Sequence, residues 1–191
     1  MNTNNFEKDG KAGEEAFRDW LNKEKIGYLY IDQTIDFFSH TFKENLKRPD
    51  FLLLVPSVGF IAIDVKHHDI KTYGEVTGFT LNIAKELDKA VEFEEVSKTA
   101  LWYAYKRKDD PSDLSWYLIN PRTIIQQGIK KESTKEEGSE FFVTSIEKFK
   151  VVTTEKDLKD KLISLKLEGK TPPLRKLVEQ FHKEQLLEEL T

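Results

Sequence analysis

A chain of 191 residues is long enough for one well-formed core and short for two independent domains. Its 38% hydrophobic and 34% charged residues, with 13 phenylalanines, describe an ordinary folding composition rather than a disordered one. The formal charge of -4 disfavours a protein that holds a polyanion through a broad basic surface. With no cysteine, disulfides and thiolate metal sites are excluded, and any metal must be held by oxygen or imidazole.

Ala16, Phe17, Trp20 and Leu21 recur at helical spacing, which predicts a first helix over residues 11–25 with Gly27 as its stop. The aromatic and β-branched stretch Tyr28 to Ile35 reads as a strand, followed by a polar loop over 36–48. Phe51 to Val55 and Phe60 to Lys66 read as the two strands of a hairpin, with Pro56, Ser57, Val58 and Gly59 as its turn. A weaker strand signal covers Tyr73 to Leu81, and a long helix is expected over 83–108, ended by Asp109, Asp110 and Pro111.

Ser115 to Asn120 reads as a strand, punctuated by Pro121. Residues 130–140 contain no apolar side chain and read as a mobile loop. Phe141 to Val152 offers one or two short strands, and Thr154 with Asp157 resembles the cap of a following helix. After Gly169, Pro172 and Pro173, an amphipathic pattern from Leu174 to Leu190 predicts a final helix, either docked on the domain or forming a dimer contact. The expected division is an α/β core over 1–153 and a helical extension over 154–191.

The hairpin carries the chemistry. Alternation along Phe60 to Lys66 puts Asp64 and Lys66 on one strand face, with Ile61, Ile63 and Val65 on the other. Asp50, directly after Pro49, stands at the mouth of the neighbouring strand and can lie beside Asp64. Phosphodiester hydrolysis needs a cation against the phosphoryl oxygens, a water of lowered pKa and a positive charge near the developing oxyanion. Asp50, Asp64 and Lys66 match that need, with Mg²⁺ or Mn²⁺ bound by the two carboxylates and plausibly the Val65 carbonyl.

Pro49-Asp50, thirteen intervening residues and then Asp64-Val65-Lys66 resemble the motif of the PD-(D/E)xK nuclease superfamily, with its restriction-endonuclease-like fold. Gly10-Lys11-Ala12-Gly13-Glu14-Glu15-Ala16-Phe17 is similar to the opening helix of archaeal Holliday-junction resolvase-type nucleases. The resemblance implies a mixed central sheet flanked by helices in α-β-β-β-α-β order over about residues 10–120. It implies Glu14 as a helical acid of the metal site, Asp50 and Asp64 as metal ligands, and Lys66 as the residue that positions or stabilises the attacking water. Glu15 is the competing choice; Glu14 follows the small Gly13 and shares a stripe with Phe17 and Leu21.

A metal-dependent nuclease is thus the first functional expectation, with nucleic acid, foremost DNA, as partner, a homodimer as one assembly, no membrane and a cytoplasmic setting. A catalytically silent module that binds nucleic acid or a protein is the alternative. Lys43, Lys47, Arg48, His67, His68 and Lys71 are candidate substrate contacts. Trp102, Tyr103, Tyr105, Trp116 and Tyr117 read as core aromatics before base-stacking ones.

Overall fold

The computed structural model describes residues 3–32, 46–56, 59–133, 138–167 and 179, with side chains from residue 10 onward and to residue 161. Lys43 and the expected final helix over 174–190 fall outside the described residues, apart from the single position 179.

The chain opens with helix α1 (Thr3–Lys23), longer at its start than the apolar spacing predicts. Strands β1 (Tyr28–Tyr30), β2 (Phe51–Val55) and β3 (Gly59–His68) follow. Next comes a hairpin, β4 (Lys71–Tyr73) and β5 (Val76–Asn82), then a π-helical turn (Ile83–Leu87) that runs into α2 (Asp88–Ser97). Strands β6 (Leu101–Arg107) and β7 (Trp116–Ile119), helix α3 (Pro121–Gln127) and strands β8 (Ile129–Glu132) and β9 (Glu140–Ser145) come after these. A 3₁₀ turn (Ile146–Lys148), strand β10 (Lys150–Val152) and helix α4 (Glu155–Leu167) complete the described elements.

The large sheet has the order β1-β2-β3-β6-β7-β10 and is mixed: β3 and β6 run parallel, the other neighbours antiparallel. A parallel pair needs a crossover, and the β4–β5 hairpin with the π turn and α2 supplies it. A second sheet, β4-β5-β9-β8, is antiparallel throughout. The mixed large sheet flanked by helices keeps the expected α-β-β-β-α-β order of α1, β1, β2, β3, α2 and β6, with the β4–β5 hairpin inserted before α2.

Both faces of the large sheet are buried. On one, Phe17 and Leu21 of α1 pack with Phe51, Ile63, Val65, Trp102 and Trp116, and Leu158 of α4 joins them. On the other, Tyr103, Tyr105 and Tyr117 pack against Phe79 and Leu81 of β5, Ala90 and Phe93 of α2 and Phe142 of β9. The five aromatics read as core are core, all of them buried.

This two-sided burial explains the main correction. The helix expected over 83–108 ends at Ser97, with Lys98 in the left-handed region at φ 56°, and Leu101 to Arg107 are a strand. A strand covered on both faces loses its polar alternation, so Leu101 to Tyr105 look as much like a buried helix as a strand. The expected loop over 130–140 is also corrected at both ends, where Ile129–Glu132 pairs with Glu140–Val143 in an antiparallel register. Residues 134–137 lie outside the described residues.

Two caps behave as local chemistry dictates. Asp157 N donates to Thr154 Oγ1 at 3.2 Å, and Thr154 N donates to Asp157 Oδ2 at 3.1 Å, the reciprocal capping expected for α4. The short helix α3 starts on Pro121 with Asn120 Oδ1 accepting from Thr123 N at 2.7 Å, so the proline opens a helix as well as ending a strand. Among the described residues no helix is long and apolar enough to cross a membrane.

Candidate active site

The β2–β3 register pairs Phe51 with Ile63, and Asp50 N donates to Ile63 O at 2.8 Å. That bond falls one position off the Phe51–Ile63 register, at the end of the paired stretch, and Asp50 and Asp64 line the same cleft, close enough for the Asp64 charge to act on Asp50. Both are buried, at 8% and 3% exposure, which is costly for two acids unless cations or donors compensate them.

Asp64 is compensated by ammonium groups. Lys66 Nζ lies 2.7 Å from Asp64 Oδ2, and Lys47 Nζ lies 2.9 Å from Asp64 Oδ1. The same lysines reach Glu86 Oε2, Lys47 at 2.6 Å and Lys66 at 2.9 Å. Two acids and two lysines therefore alternate around a closed ring. Burial pushes the Glu86 carboxyl up, but the Lys66 and Lys47 charges outweigh it and hold the group down at about 2. Burial likewise disfavours the Lys66 ammonium, and Asp64 and Glu86 more than offset it, keeping that lysine charged well above its ordinary range. The buried Asp64 Oδ2 has an ion pair with Lys66 but no well-directed hydrogen bond.

Asp50 has less help. Its Oδ2 accepts from Val65 N at 2.7 Å, yet burial first, then the Asp64 and Glu14 charges, push its carboxyl well above the ordinary value of 3.8. Val65 N–H and the Lys47 charge only partly counter that rise. Glu14 comes from α1 and its Oε2 accepts from Tyr30 OH at 2.8 Å. Partial burial and the Glu14 carboxylate push that phenol up to about 12.

A glycine lets α1 come this close. A Cβ on Gly13 would meet His67 Cβ at 3.0 Å and Val65 Cγ1 at 3.4 Å. The helix can rest on β3 beside the site only because that side chain is missing. Glu14 thereby lines the cleft, whereas Glu15 is exposed on the helix surface.

The cleft over these groups holds about 300 Å³ and is lined by Glu14, Lys47, Arg48, Asp50, Asp64, Val65 and Lys66, with Lys85 and Lys89 at its rim. A second cleft of about 350 Å³ adjoins it, sharing Gly10, Val65 and Lys66 and adding His67, His68, Lys71 and Lys108. The structure thus puts Lys47 and Arg48 in the cleft with the carboxylates and His67, His68 and Lys71 in the adjoining one.

Sequence reasoning missed Glu86. The residue sits on the π turn, where Asn82 Oδ1 accepts from Lys85 N at 2.8 Å and Tyr103 OH donates to Glu86 O at 3.1 Å. The local signal was present, an Asn closing a strand three residues before Lys85. That Glu86 meets Lys66 depends on the crossover between β3 and β6.

The donor set suits Mg²⁺ or Mn²⁺, which prefer carboxylate and carbonyl oxygens and tolerate several waters. Two buried carboxylates, one of them pushed up by burial and acidic neighbours, fit a divalent cation in charge and in chemistry. Among the described residues, however, no three acid or imidazole side chains form a ready cage. The ammonium groups of Lys47 and Lys66 balance Asp64 instead.

No family model and no curated protein matches the chain. Among solved structures, the chain is similar to Hjc, a Holliday junction resolvase from Archaeoglobus fulgidus, an archaeal hyperthermophile. The TM-score is 0.44 at 15% identity, covering 71% of this chain and 88% of that one. A partial likeness of that size carries nothing about chemistry.

Proposed function

We propose that the chain is a divalent-metal-dependent nuclease that hydrolyses phosphodiester bonds in DNA. One observation carries this reading: the buried carboxylates Asp50 and Asp64 line one lysine-rich cleft, with Lys66 held at Asp64. Asp50 and Asp64 would hold the cation, with Glu14 and the Val65 carbonyl as further donors. When bound, the cation would supply charge against the phosphoryl oxygens and lower the pKa of a water. Lys66, charged and fixed by two acids, puts a positive charge where an attacking or departing oxygen develops negative charge. Lys47, Arg48, His67, His68 and Lys71 offer positive or donor groups to the flanking phosphates. DNA is the substrate that the motif resemblance implies.

The test is direct: incubate the chain with supercoiled, linear, single-stranded and branched DNA, and with RNA, in Mg²⁺, in Mn²⁺ and in chelator. Metal-dependent cleavage of DNA is expected, reduced on the order of 100- to 1000-fold in Lys66→Ala. Absence of cleavage in every condition sinks the reading, and cleavage that survives Asp64→Ala removes the assigned residues. Size-exclusion chromatography of the same protein tests a homodimeric assembly. A second reading, a silent module that binds nucleic acid or a protein, rests on the two lysines that already balance Asp64. It expects binding without metal uptake or cleavage.

A further inference from the structure

The nuclease reading leaves unexplained why a second lysine sits on Asp64. Lys66 belongs to the same strand face as Asp64 and follows from the alternation of β3. Lys47 comes from elsewhere, the irregular segment before β2, where its own N–H donates to Lys89 O at 3.1 Å. Its ammonium reaches Asp64 Oδ1 at 2.9 Å, and its charge also bears on Asp50. Lys47 is therefore a positive charge set against both carboxylates that the nuclease reading assigns to a cation. The same ammonium makes a still shorter contact, 2.6 Å, with Glu86 Oε2, an acid that the nuclease reading does not assign to the metal.

We infer that Lys47 is a built-in counter-cation of the site, which a divalent ion must displace from Asp64, and that Glu86 is the acceptor that retains the lysine once displaced. The inference rests on the nuclease reading for its metal ligands. It follows from charge balance. With Lys47 in place, Asp64 is neutralised without metal, and the buried acids are tolerable in the ion-free protein. A divalent ion that takes Asp64 Oδ1 meets a like charge in Lys47 and favours its departure. Glu86 is already within hydrogen-bond distance, so the lysine need not return its charge to water. Lys66, tied to both Asp64 and Glu86, stays in place for the reaction.

The consequence has a direction that mere structural damage cannot produce. Removing Lys47 should tighten the binding of a divalent ion, whereas neutralising Glu86 should weaken it, because Lys47 then has Asp64 as its remaining close acid partner. The experiment is isothermal titration of Mn²⁺ into the full chain at low salt, comparing wild type, Lys47→Met and Glu86→Gln, with Asp64→Asn to show that the heat comes from this site. For Lys47→Met we expect Kd to fall about tenfold, beyond the few-fold of an exposed charge pair, and for Glu86→Gln to rise several-fold. Circular dichroism melts establish that each variant is folded, and Lys47→Gln replaces Lys47→Met if the latter is not. An unchanged or higher Kd without the Lys47 charge overturns the inference, as does tighter binding in Glu86→Gln. Wild type that neither binds Mn²⁺ nor cleaves DNA overturns the nuclease reading itself, so the two failures are told apart.

Discussion

The two sides of the candidate site solve the same electrostatic problem differently. Around Asp64, Lys47, Lys66 and Glu86 alternate in sign, and each charge has an opposite neighbour within 3 Å. Around Asp50, burial and the Asp64 and Glu14 charges push the carboxyl up, and Val65 N–H and the Lys47 charge counter them. One side balances its charges, and the other holds a carboxyl that burial and its acidic neighbours push towards the neutral form. Functional sites often hold such locally unfavourable charge, maintained by the rest of the fold.

The largest effect that would break this comparison is expected on the balanced side. Asp64→Ala leaves two part-buried lysines to share Glu86, and removing one partner of a buried ion pair costs about 3–5 kcal/mol. For a chain of this size that corresponds to a fall in Tm of roughly 6–20 °C. A thermal melt with no loss would show that the ring does not hold the fold. Glu86 adds a pH signature. Its folded value of about 2 lies below its ordinary 4.5, so its contribution is present above pH 4.5 and is lost as the pH falls towards 2. The difference in Tm between wild type and Glu86→Gln should shrink over that window.

On the unbalanced side the sign reverses. Asp50→Asn keeps an oxygen for Val65 N–H and removes a charge that burial and Asp64 oppose, so it should stabilise the ion-free chain by about 0.5–2 kcal/mol while abolishing metal binding. A carboxyl whose folded value is raised contributes stability below its ordinary 3.8 and loses it as the pH rises through the folded value. The advantage of Asp50→Asn in Tm should therefore vanish near pH 4 and grow with increasing pH. A lower Tm at neutral pH would contradict the assignment of Asp50 as the strained member.

A further effect, read chiefly in activity, is expected at helix α1. Gly13→Ala places a methyl 3.0 Å from His67 Cβ and obliges α1 to shift by a few tenths of an ångström. Stability should fall by about 1–3 kcal/mol, the cost of overpacking, read from a thermal melt. Cleavage should fall about tenfold or more, as Glu14 shifts in the cleft it shares with Asp50. Unaltered cleavage would mean that the close approach of α1 does not matter to the site.

Much of this was legible in the residues themselves. Strand alternation placed Asp64 and Lys66 on one face, and the β2–β3 hairpin put Asp50 in the same cleft as Asp64, because both depend on contacts within twenty residues. Leu101 to Tyr105 were not legible as a strand, because burial on both faces erases the alternation that marks one. The pairing of Ile129–Glu132 with β9 was hidden for the opposite reason. Its edge strand is polar and exposed, so hydrophobic pattern had nothing to detect.

The chain by itself determined the pair of acids and the lysine, together with the glycine that admits the first helix. Only the tertiary structure decided that Lys47 and Glu86 complete the ring. Glu86 lies twenty residues beyond Lys66 and reaches it through a parallel crossover, and Lys47 arrives from a segment with no regular pattern. Charge pairing across such connections leaves no periodic trace in a sequence, because it is set by how the elements pack and not by the spacing along any one of them.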